Sequence, residues 1–244
     1  QTSNNFDPVQ TEAIRREAIS RKVSMIDEVI DKTGKEIVPC KYDRIGYFQD
    51  GICAVLTGYT GAHFDIPDGK WGFIDASDKE VLPFKYDDAM SFSEGLAAVK
   101  TDGKWGFVDK NGNEVIPCRY DEVSSFSEGR ASVMANNKYG FIDKEGNEVI
   151  PCKYDGVGSY SEGFASVFSK FRYGYIDMAG NEVIPCKYDY IYSFDNDGTA
   201  EAKRDGKWGR VNKEGVEIVP CIYDSFGYFD DHGTAKVERD GKHG

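Results

Sequence analysis

A unit of about 34 residues recurs along most of this chain and constrains its fold more than any single residue does. Its most regular feature is a proline followed three residues later by a Tyr-Asp pair, as in Pro117 and Tyr120-Asp121. The six prolines are Pro39, Pro83, Pro117, Pro151, Pro185 and Pro220. Because each copy must bury its apolar face against its neighbours, the repeat predicts an array of stacked units.

Two short hairpins are predicted within each unit. Asp102-Gly103 offers the two positive-φ positions of a type I′ turn, with one strand on either side. The loop at 109–114, with Gly112 in the left-handed conformation, closes the second hairpin. If this loop has four residues, Asp109 faces Glu114, Phe107 faces Ile116, Trp105 faces Cys118, and Gly106 lies against Pro117.

An aromatic residue recurs at one position between each Tyr-Asp pair and the strand that follows. Its six occurrences are Phe48, Phe92, Phe126, Tyr160, Phe194 and Phe229. This regularity predicts a ladder of buried aromatic rings along the array. The stretch that carries the ladder is compatible with either a fourth short strand or a loop.

Taken together, these motifs resemble the WG repeat, also called the KWG repeat, of bacterial proteins. The resemblance rests on the Lys-Trp-Gly-Phe-Ile/Val-Asp core, the Gly-Asn-Glu-Val-Ile-Pro segment, the Tyr-Asp pair and the Ser-Glu-Gly triplet, and it covers residues 29–244. Tyr139 and Tyr173 in place of Trp, Phe84 in place of Cys and Asn212 in place of Asp depart from the pattern. The resemblance implies a bacterial all-β repeat protein without common catalytic residues.

The predicted fold is therefore an all-β array of about six antiparallel β-hairpin repeats across residues 24–244. An open, twisted array is preferred because about 34 residues is short for a four-stranded blade. The alternative is a closed six-bladed propeller, in which the half-units at the two ends of the sequence complete one blade. Residues 1–23 form an N-terminal extension whose apolar spacing predicts one helix, with a partly disordered leader as the alternative.

Charge and composition exclude several classes of partner. Forty-two acidic against thirty basic residues give a net charge of −12, which weighs against nucleic acid or an anionic membrane. The sequence contains no apolar segment of transmembrane length. A basic residue precedes each aromatic-Gly pair, and a glutamate recurs as regularly, so the surface is predicted to carry solvated lines of mixed charge.

Five of the six cysteines occupy one position of the repeat, directly after the proline. They are Cys40, Cys118, Cys152, Cys186 and Cys221. Equivalent positions in neighbouring hairpins are usually too far apart for a disulfide, so buried free thiols are predicted, which suit a reducing compartment or an anaerobic exterior. The sequence begins with Gln1 rather than Met, which indicates a removed leader and favours an extracytoplasmic location over a cytoplasmic one.

Catalysis and metal binding find little support in the sequence. The three histidines belong to no recognisable motif, and cysteine and histidine lack the spacing of a metal site, so no enzyme, cofactor or metal is predicted. Residues 195–198, Asp-Asn-Asp-Gly, resemble the start of a calcium loop but are interpreted as a turn because the remaining ligands are missing.

The most individual feature is a ten-residue insertion within residues 57–68. Because insertions in repeats often fall on a binding face, Tyr59, His63 and Phe64 are the candidate binding residues, with a merely tolerated longer hairpin as the alternative. Exposed aromatic residues such as Tyr47, Tyr192 and Tyr228 come next. The predicted function is a non-enzymatic framework for protein–protein interaction, and the alternative is a module that binds a carbohydrate or another small ligand.

Overall fold

The computed structural model describes residues 29–30, 36–39, 41–59, 69–229 and 233–243, and these residues form strands and turns without a helix. The chain divides into two compact units, residues 1–119 and 120–244. The strands up to the boundary are β1 (Val29–Ile30), β2 (Glu36–Val38), β3 (Arg44–Ile45), β4 (Ile52–Thr57), β5 (Lys70–Asp75), β6 (Glu80–Tyr86), β7 (Asp88–Ala89), β8 (Ala97–Thr101), β9 (Lys104–Val108) and β10 (Glu114–Tyr120). The helix predicted in residues 1–23 lies outside the described residues.

The strands of the second unit are β11 (Glu122–Val123), β12 (Ala131–Ala135), β13 (Lys138–Ile142), β14 (Glu148–Tyr154), β15 (Gly156–Val157), β16 (Phe164–Ser169), β17 (Arg172–Asp177), β18 (Glu182–Tyr188), β19 (Tyr190–Ile191), β20 (Thr199–Arg204), β21 (Lys207–Asn212), β22 (Glu217–Tyr223), β23 (Ser225–Phe229), β24 (Ala235–Arg239) and β25 (Lys242–His243). Consecutive strands pair into five four-stranded antiparallel sheets, from β3–β6 to β19–β22, flanked by a two-stranded and a three-stranded sheet. This confirms the predicted all-β array of antiparallel hairpin repeats. The stretch after each Tyr-Asp pair, for which the sequence allowed either a strand or a loop, contains the short first strand of each four-stranded sheet.

The first hairpin of the unit forms as predicted. Asp102 and Gly103 have φ angles of 51° and 76°, and Thr101 faces Lys104 across the turn. These are the two left-handed positions of a type I′ turn, whose twist matches that of the flanking strands. Equivalent turns occur at Asn136-Asn137, Lys170-Phe171, Asp205-Gly206 and Asp240-Gly241.

The loop of the second hairpin is shorter than predicted. The Asp109 N–H donates to the Asn113 carbonyl at 3.0 Å, and the Gly112 N–H donates to the Asp109 carbonyl at 3.0 Å. The carboxylate of Asp109 also accepts the N–H groups of Asn111 and Asn113, which closes the loop one residue early. Asp109 therefore pairs with Asn113, and the predicted pairing with Glu114 is wrong.

The register beyond that loop contains a bulge that the sequence did not predict. Phe141 faces Ile150, which is the equivalent of the predicted Phe107–Ile116 pair. The predicted pairing of Trp105 with Cys118 would place Tyr139 opposite Cys152 in this sheet. Tyr139 instead faces Tyr154. The fourth strand has three residues where the third has one, so the Pro-Cys-Lys segment bulges and the aromatic residue meets the Tyr of the Tyr-Asp pair.

The bulge explains the glycine that follows the aromatic residue on the third strand. A Cβ atom on Gly140 would lie 2.4 Å from the Ile150 carbonyl oxygen and 2.7 Å from the Cys152 nitrogen. No side chain fits so close to another backbone, so only glycine is compatible with this position. The predicted contact of this glycine with the proline segment is confirmed. The equivalent glycines Gly106, Gly174 and Gly209 are equally enclosed.

Within each unit, the core lies where one face of a sheet packs on the next sheet. In the second unit, Tyr175, Ile184 and Tyr188 of the β15–β18 sheet pack with alanines and other apolar residues of the β19–β22 sheet, including Ala200 and Ala202. Large side chains on one face therefore meet small ones on the other. This alternation fills the space between stacked sheets at the density of a protein interior.

The predicted aromatic ladder is confirmed for its central members. Phe92, Phe126 and Tyr160 are each 2% exposed. The ladder ring packs against the aromatic residue that follows the glycine of the third strand. The contact is edge-on for Phe141 and Tyr160, whose centroids are 4.8 Å apart, and tilted for Tyr175 and Phe194, at 4.9 Å. The prediction is wrong for Phe229, which is 42% exposed.

The aspartate of the Tyr-Asp pair joins two hairpins. Asp155 forms an ion pair with Lys138 and accepts the backbone N–H of Lys170, in the turn of the next hairpin, at 2.9 Å. The predicted role as an acceptor of turn N–H groups is confirmed. The basic residue before the aromatic-Gly pair is thus paired with this aspartate here and in three further repeats. Further examples are Lys70 with Asp87, Arg172 with Asp189 and Lys207 with Asp224.

This ion pair predicts acid sensitivity. The Lys138 ammonium, together with the Lys170 N–H, holds the pKa of the Asp155 carboxyl below its usual range. Because the folded-state pKa is the lower one, the stabilisation is complete above about pH 4 and is lost as the pH falls through the folded-state value. Asp155→Asn should therefore be less stable than the native chain in urea titrations at about pH 7, and the difference should shrink at about pH 2. An equal difference at both pH values contradicts this role.

The described cysteines are free thiols: Cys53, Cys118, Cys152, Cys186 and Cys221. Buried free thiols were predicted for the last four. The predicted burial is confirmed for Cys221 and is wrong for the other three, which are only half-buried. Burial raises the pKa of the Cys186 thiol to about 11, so its reactive thiolate is scarce at neutral pH. Cys40 lies outside the described residues.

Candidate functional site

The predicted binding residues of the insertion are only partly described. His63 and Phe64 lie outside the described residues, so this predicted site remains a prediction. Tyr59 is half-buried, its N–H donates to the Asp43 carboxylate at 2.8 Å, and its ring lies 5.9 Å from the Arg44 guanidinium carbon. Asp43 belongs to a Tyr-Asp pair, so Tyr59 holds the position that a turn residue holds in the other units.

The β19–β22 sheet departs from the repeat at two positions that face each other. In the four-stranded sheets that precede it, the residue after the strand glycine is aromatic and faces alanine or serine. These pairs are Phe73 with Ala54, Phe107 with Ala98, Phe141 with Ser132, and Tyr175 with Ser166. In the β19–β22 sheet the pair is Arg210 with Glu201. A charged pair thus replaces a pair of one aromatic and one small residue at an interior position of the sheet.

Arg210 is only 5% exposed. Its Nη2 atom donates to the Asp195 carboxylate at 2.6 Å and lies 3.5 Å from that of Asp197. Its guanidinium carbon lies 5.0 Å from the Phe229 ring centroid, so a cation–π contact replaces the ring-on-ring contact of the other sheets. Its buried Nε has no hydrogen-bond partner among the described residues. A buried donor without a partner lowers the stability of the fold.

Two carboxylates that contact Arg210, those of Asp195 and Asp197, belong to residues 195–198. This is the segment whose sequence resembles the start of a calcium loop. The Gly198 N–H donates to the Asp195 carbonyl at 2.9 Å, and the Thr199 N–H donates to the Asp197 carboxylate at 2.9 Å. The predicted turn is therefore confirmed. Among the described residues, no cluster of histidine, cysteine, aspartate and glutamate has a geometry that could hold a metal ion.

These departures surround one cavity of about 550 Å³. Its walls are the four charged residues Asp195, Asp197, Glu201 and Arg210 together with Tyr192, Ser193 and Phe229. A volume of this size falls within the range of small-molecule sites, which is about 300 to 1,000 Å³. Two of its wall residues, Glu201 and Arg210, are the charged pair that replaces the small–aromatic pair of the other sheets.

The charged groups of the cavity differ in their protonation equilibria. Burial raises the pKa of the Glu201 carboxyl, an effect that Arg210 opposes. Hydrogen bonds from Thr199 lower the pKa of the Asp197 carboxyl. Three carboxylates against one guanidinium give the cavity a formal charge of −2 at neutral pH. The arrangement offers hydrogen-bond acceptors, one buried donor and aromatic faces, which suit binding.

A second surface feature begins at the rim of this cavity. Six aromatic rings follow one another at centroid distances between 4.6 and 6.5 Å, and we call them the aromatic strip. In order they are Phe171, Phe168, Tyr173, Tyr190, Tyr192 and Trp208. Phe171 is 87% exposed and Tyr192 is 50% exposed. A contiguous exposed aromatic surface of this kind marks an interaction site.

The family follows from a comparison with models of known repeats. The model described as "WG containing repeat" matches residues 29–59, 71–105, 105–139, 139–168, 173–208 and 208–242. The chain belongs to the WG-repeat family. This confirms the resemblance seen in the motifs. No curated protein sequence matches the chain.

Solved structures resemble the WG-repeat chain in fold. A eukaryotic initiation factor shares 10% identity at a TM-score of 0.52, with 87% of this chain and 65% of that chain covered. Hsv2 from Kluyveromyces lactis shares 10% identity at a TM-score of 0.40, covering 77% of this chain and 67% of that one. The extracellular domain of a hybrid two-component system from B. thetaiotaomicron shares 9% identity at a TM-score of 0.37, covering 88% and 36%. The chain thus spans less than two thirds of the first of these structures.

Phe171 departs from the WG-repeat pattern in a way that costs stability. It occupies the second position of the type I′ turn with a φ of 63°, and Lys170 before it has a φ of 51°. The other described turns of this type use asparagine, aspartate and glycine there, which tolerate the left-handed conformation. Phe171 packs edge-on against Phe168 at 6.5 Å, but its strain and its exposure make it a candidate for contact with another molecule.

Sequence reasoning placed the binding site at the insertion and overlooked the cavity. Tyr192 was recognised as an exposed aromatic residue, and the exposure of Tyr47 is confirmed at 87%. The side chain of Tyr228 lies outside the described residues. Arg210 and Glu201 could have been found by aligning the WG repeats column by column, because each breaks a column of aromatic or small residues.

Proposed function

We propose that this chain is a non-enzymatic WG-repeat framework that binds a partner protein through the aromatic strip. The observation that carries the proposal is the continuity of the strip from Phe171 to Trp208 across two neighbouring sheets of the second unit. Tyrosine and tryptophan dominate the binding energy of protein interfaces because they bury large areas with few rotatable bonds. The regular WG repeats act as the framework that holds these aromatic rings in place.

The partner expected from this surface has an apolar groove with a basic rim. The groove receives the aromatic rings, above all the projecting ring of Phe171. The rim is expected to be basic because the chain carries a net charge of −12 and because the exposed carboxylate of Asp205 lies beside the strip, 3.5 Å from Arg172. Complementary charge accelerates association and discourages acidic partners.

Photo-crosslinking tests this proposal directly. A benzoyl-phenylalanine in place of Phe171 should crosslink one protein from the native source, and the same group at Tyr47 should not. Tyr47 is the matched control because it is equally exposed, at 87%, but belongs to the first unit and to no aromatic strip. Equal crosslinking at both positions, or none at Phe171, contradicts the proposal.

The captured partner, once purified, allows a quantitative test. Phe171→Ser and Tyr192→Ser should each weaken its binding by roughly tenfold or more, because each removes an exposed aromatic ring from the interface. Tyr47→Ser should leave the affinity within about twofold. Isothermal titration calorimetry measures all three, and circular dichroism checks that the variants remain folded. Unchanged affinity in both strip variants contradicts the proposed interface.

A further inference from the structure

The cavity beside Arg210 carries an inference that is independent of the protein partner. We propose that it is a binding site for a neutral polyhydroxylated ligand, such as a sugar ring. This site is distinct from the insertion, and only Tyr192 belongs both to the cavity and to the aromatic strip. The hydrogen-bonding groups of the cavity walls and their charge both favour such a ligand.

The walls require a ligand that both donates and accepts hydrogen bonds. Arg210 lines the cavity and its guanidinium carries only hydrogen-bond donors, so the ligand must offer an acceptor. Asp195, Asp197 and Glu201 are acceptors when ionised, so the ligand must also offer donors. A hydroxyl group does both, and a sugar ring carries several hydroxyl groups on one rigid scaffold.

Charge and hydrogen bonding together favour a neutral ligand. An anion that reached Arg210 would also approach the three carboxylates and would be repelled by them. A cation would be attracted by the formal charge of −2, but an ammonium group carries only donors and offers no acceptor to Arg210, which lines the cavity. A neutral polyol satisfies both kinds of wall group without introducing a net charge.

The aromatic walls fit the remaining surface of such a ligand. The carbon-bound hydrogens of a sugar form an apolar face, and Tyr192 offers a half-exposed ring on which that face can lie. Phe229 covers the guanidinium of Arg210 at 5.0 Å and remains 42% exposed, so its outer edge is open to the cavity. The volume of about 550 Å³ accommodates one or two sugar rings.

The test uses the full chain and a panel of probes. Glucose, galactose, mannose, N-acetylglucosamine, maltose and cellobiose represent neutral sugars, putrescine represents cations, and succinate represents anions. Saturation-transfer NMR and calorimetry should detect binding of at least one sugar and of neither charged probe. The guanidinium resonances of Arg210, assigned by their loss in Arg210→Phe, should shift on sugar addition because Arg210 lines the cavity.

The double variant E201S/R210F restores the residues of the other sheets and should close the cavity. We expect it to bind the sugar at least about tenfold more weakly, whereas Asp205→Asn, which removes an exposed carboxylate outside the cavity, should bind normally. Thermal unfolding shows whether both variants are folded. The proposal is overturned if the whole panel of sugars fails to bind, if putrescine or succinate binds instead, or if the double variant binds as well as the native chain.

Discussion

Gly140→Ala should destabilise the chain by about 3 kcal/mol or more, because overpacking against rigid backbone exceeds the cost of ordinary core crowding. The added Cβ would lie 2.4 Å from the carbonyl oxygen of Ile150 and 2.7 Å from the nitrogen of Cys152. Both atoms belong to backbone, so neither can move aside as a flexible side chain could. The bulge would have to unfold or shift, and with it the face that packs on the next sheet.

The control for this prediction is Gly206→Ala. Gly206 lies in the type I′ turn with a φ of 80°, and a Cβ there would meet nothing within 4 Å. The expected cost is the left-handed strain alone, about 1 kcal/mol. Urea denaturation measures both free energies of unfolding. Equal losses in the two variants would show that close approach of the bulge is not the reason for the glycine.

The second large effect is expected at Arg210. Arg210→Phe removes the cation that faces Glu201 and leaves that half-buried carboxylate against a new aromatic ring. Because burial already raises the pKa of Glu201 and Arg210 opposes that rise, loss of the arginine should cost about 1 to 3 kcal/mol at neutral pH. The loss should shrink at a pH near 4, where Glu201 becomes protonated. An equal loss at both pH values would assign the effect to packing and not to the carboxylate.

The repeat made much of the fold predictable because its local rules are strong. Asp102-Gly103 demanded two left-handed residues between two strands, and few structures other than a type I′ hairpin supply them. The pairing of Asp109 was wrong because a side-chain hydrogen bond shortened the loop. The bulge at residues 151–153 could not be predicted, since it depends on where Tyr154 packs against the neighbouring strand.

The candidate site was less predictable for a different reason. The turn at 195–198 was recognised, but its carboxylates gain a role only because the fold brings them to Arg210. Glu201 and Arg210 are nine residues apart in sequence, and the register of the first hairpin decides that they face each other. The same argument applies to the aromatic strip, whose rings come from strands of two sheets. The repeated motifs predict the framework. The residues that depart from the repeat can be assigned to a site only when the structure shows which of them lie close together.

If Glu201 and Arg210 serve binding at the expense of the framework, their joint replacement should stabilise the fold. The free energy of unfolding of E201S/R210F is the decisive measurement, because this variant restores the small–aromatic pair of the other sheets and places a phenylalanine against Phe229. The variant should be more stable than the native chain by about 1 to 3 kcal/mol, since well-packed apolar residues often replace a buried charged cluster with a gain in stability. A double variant less stable than the native chain would rule out this role and make Arg210 a structural residue.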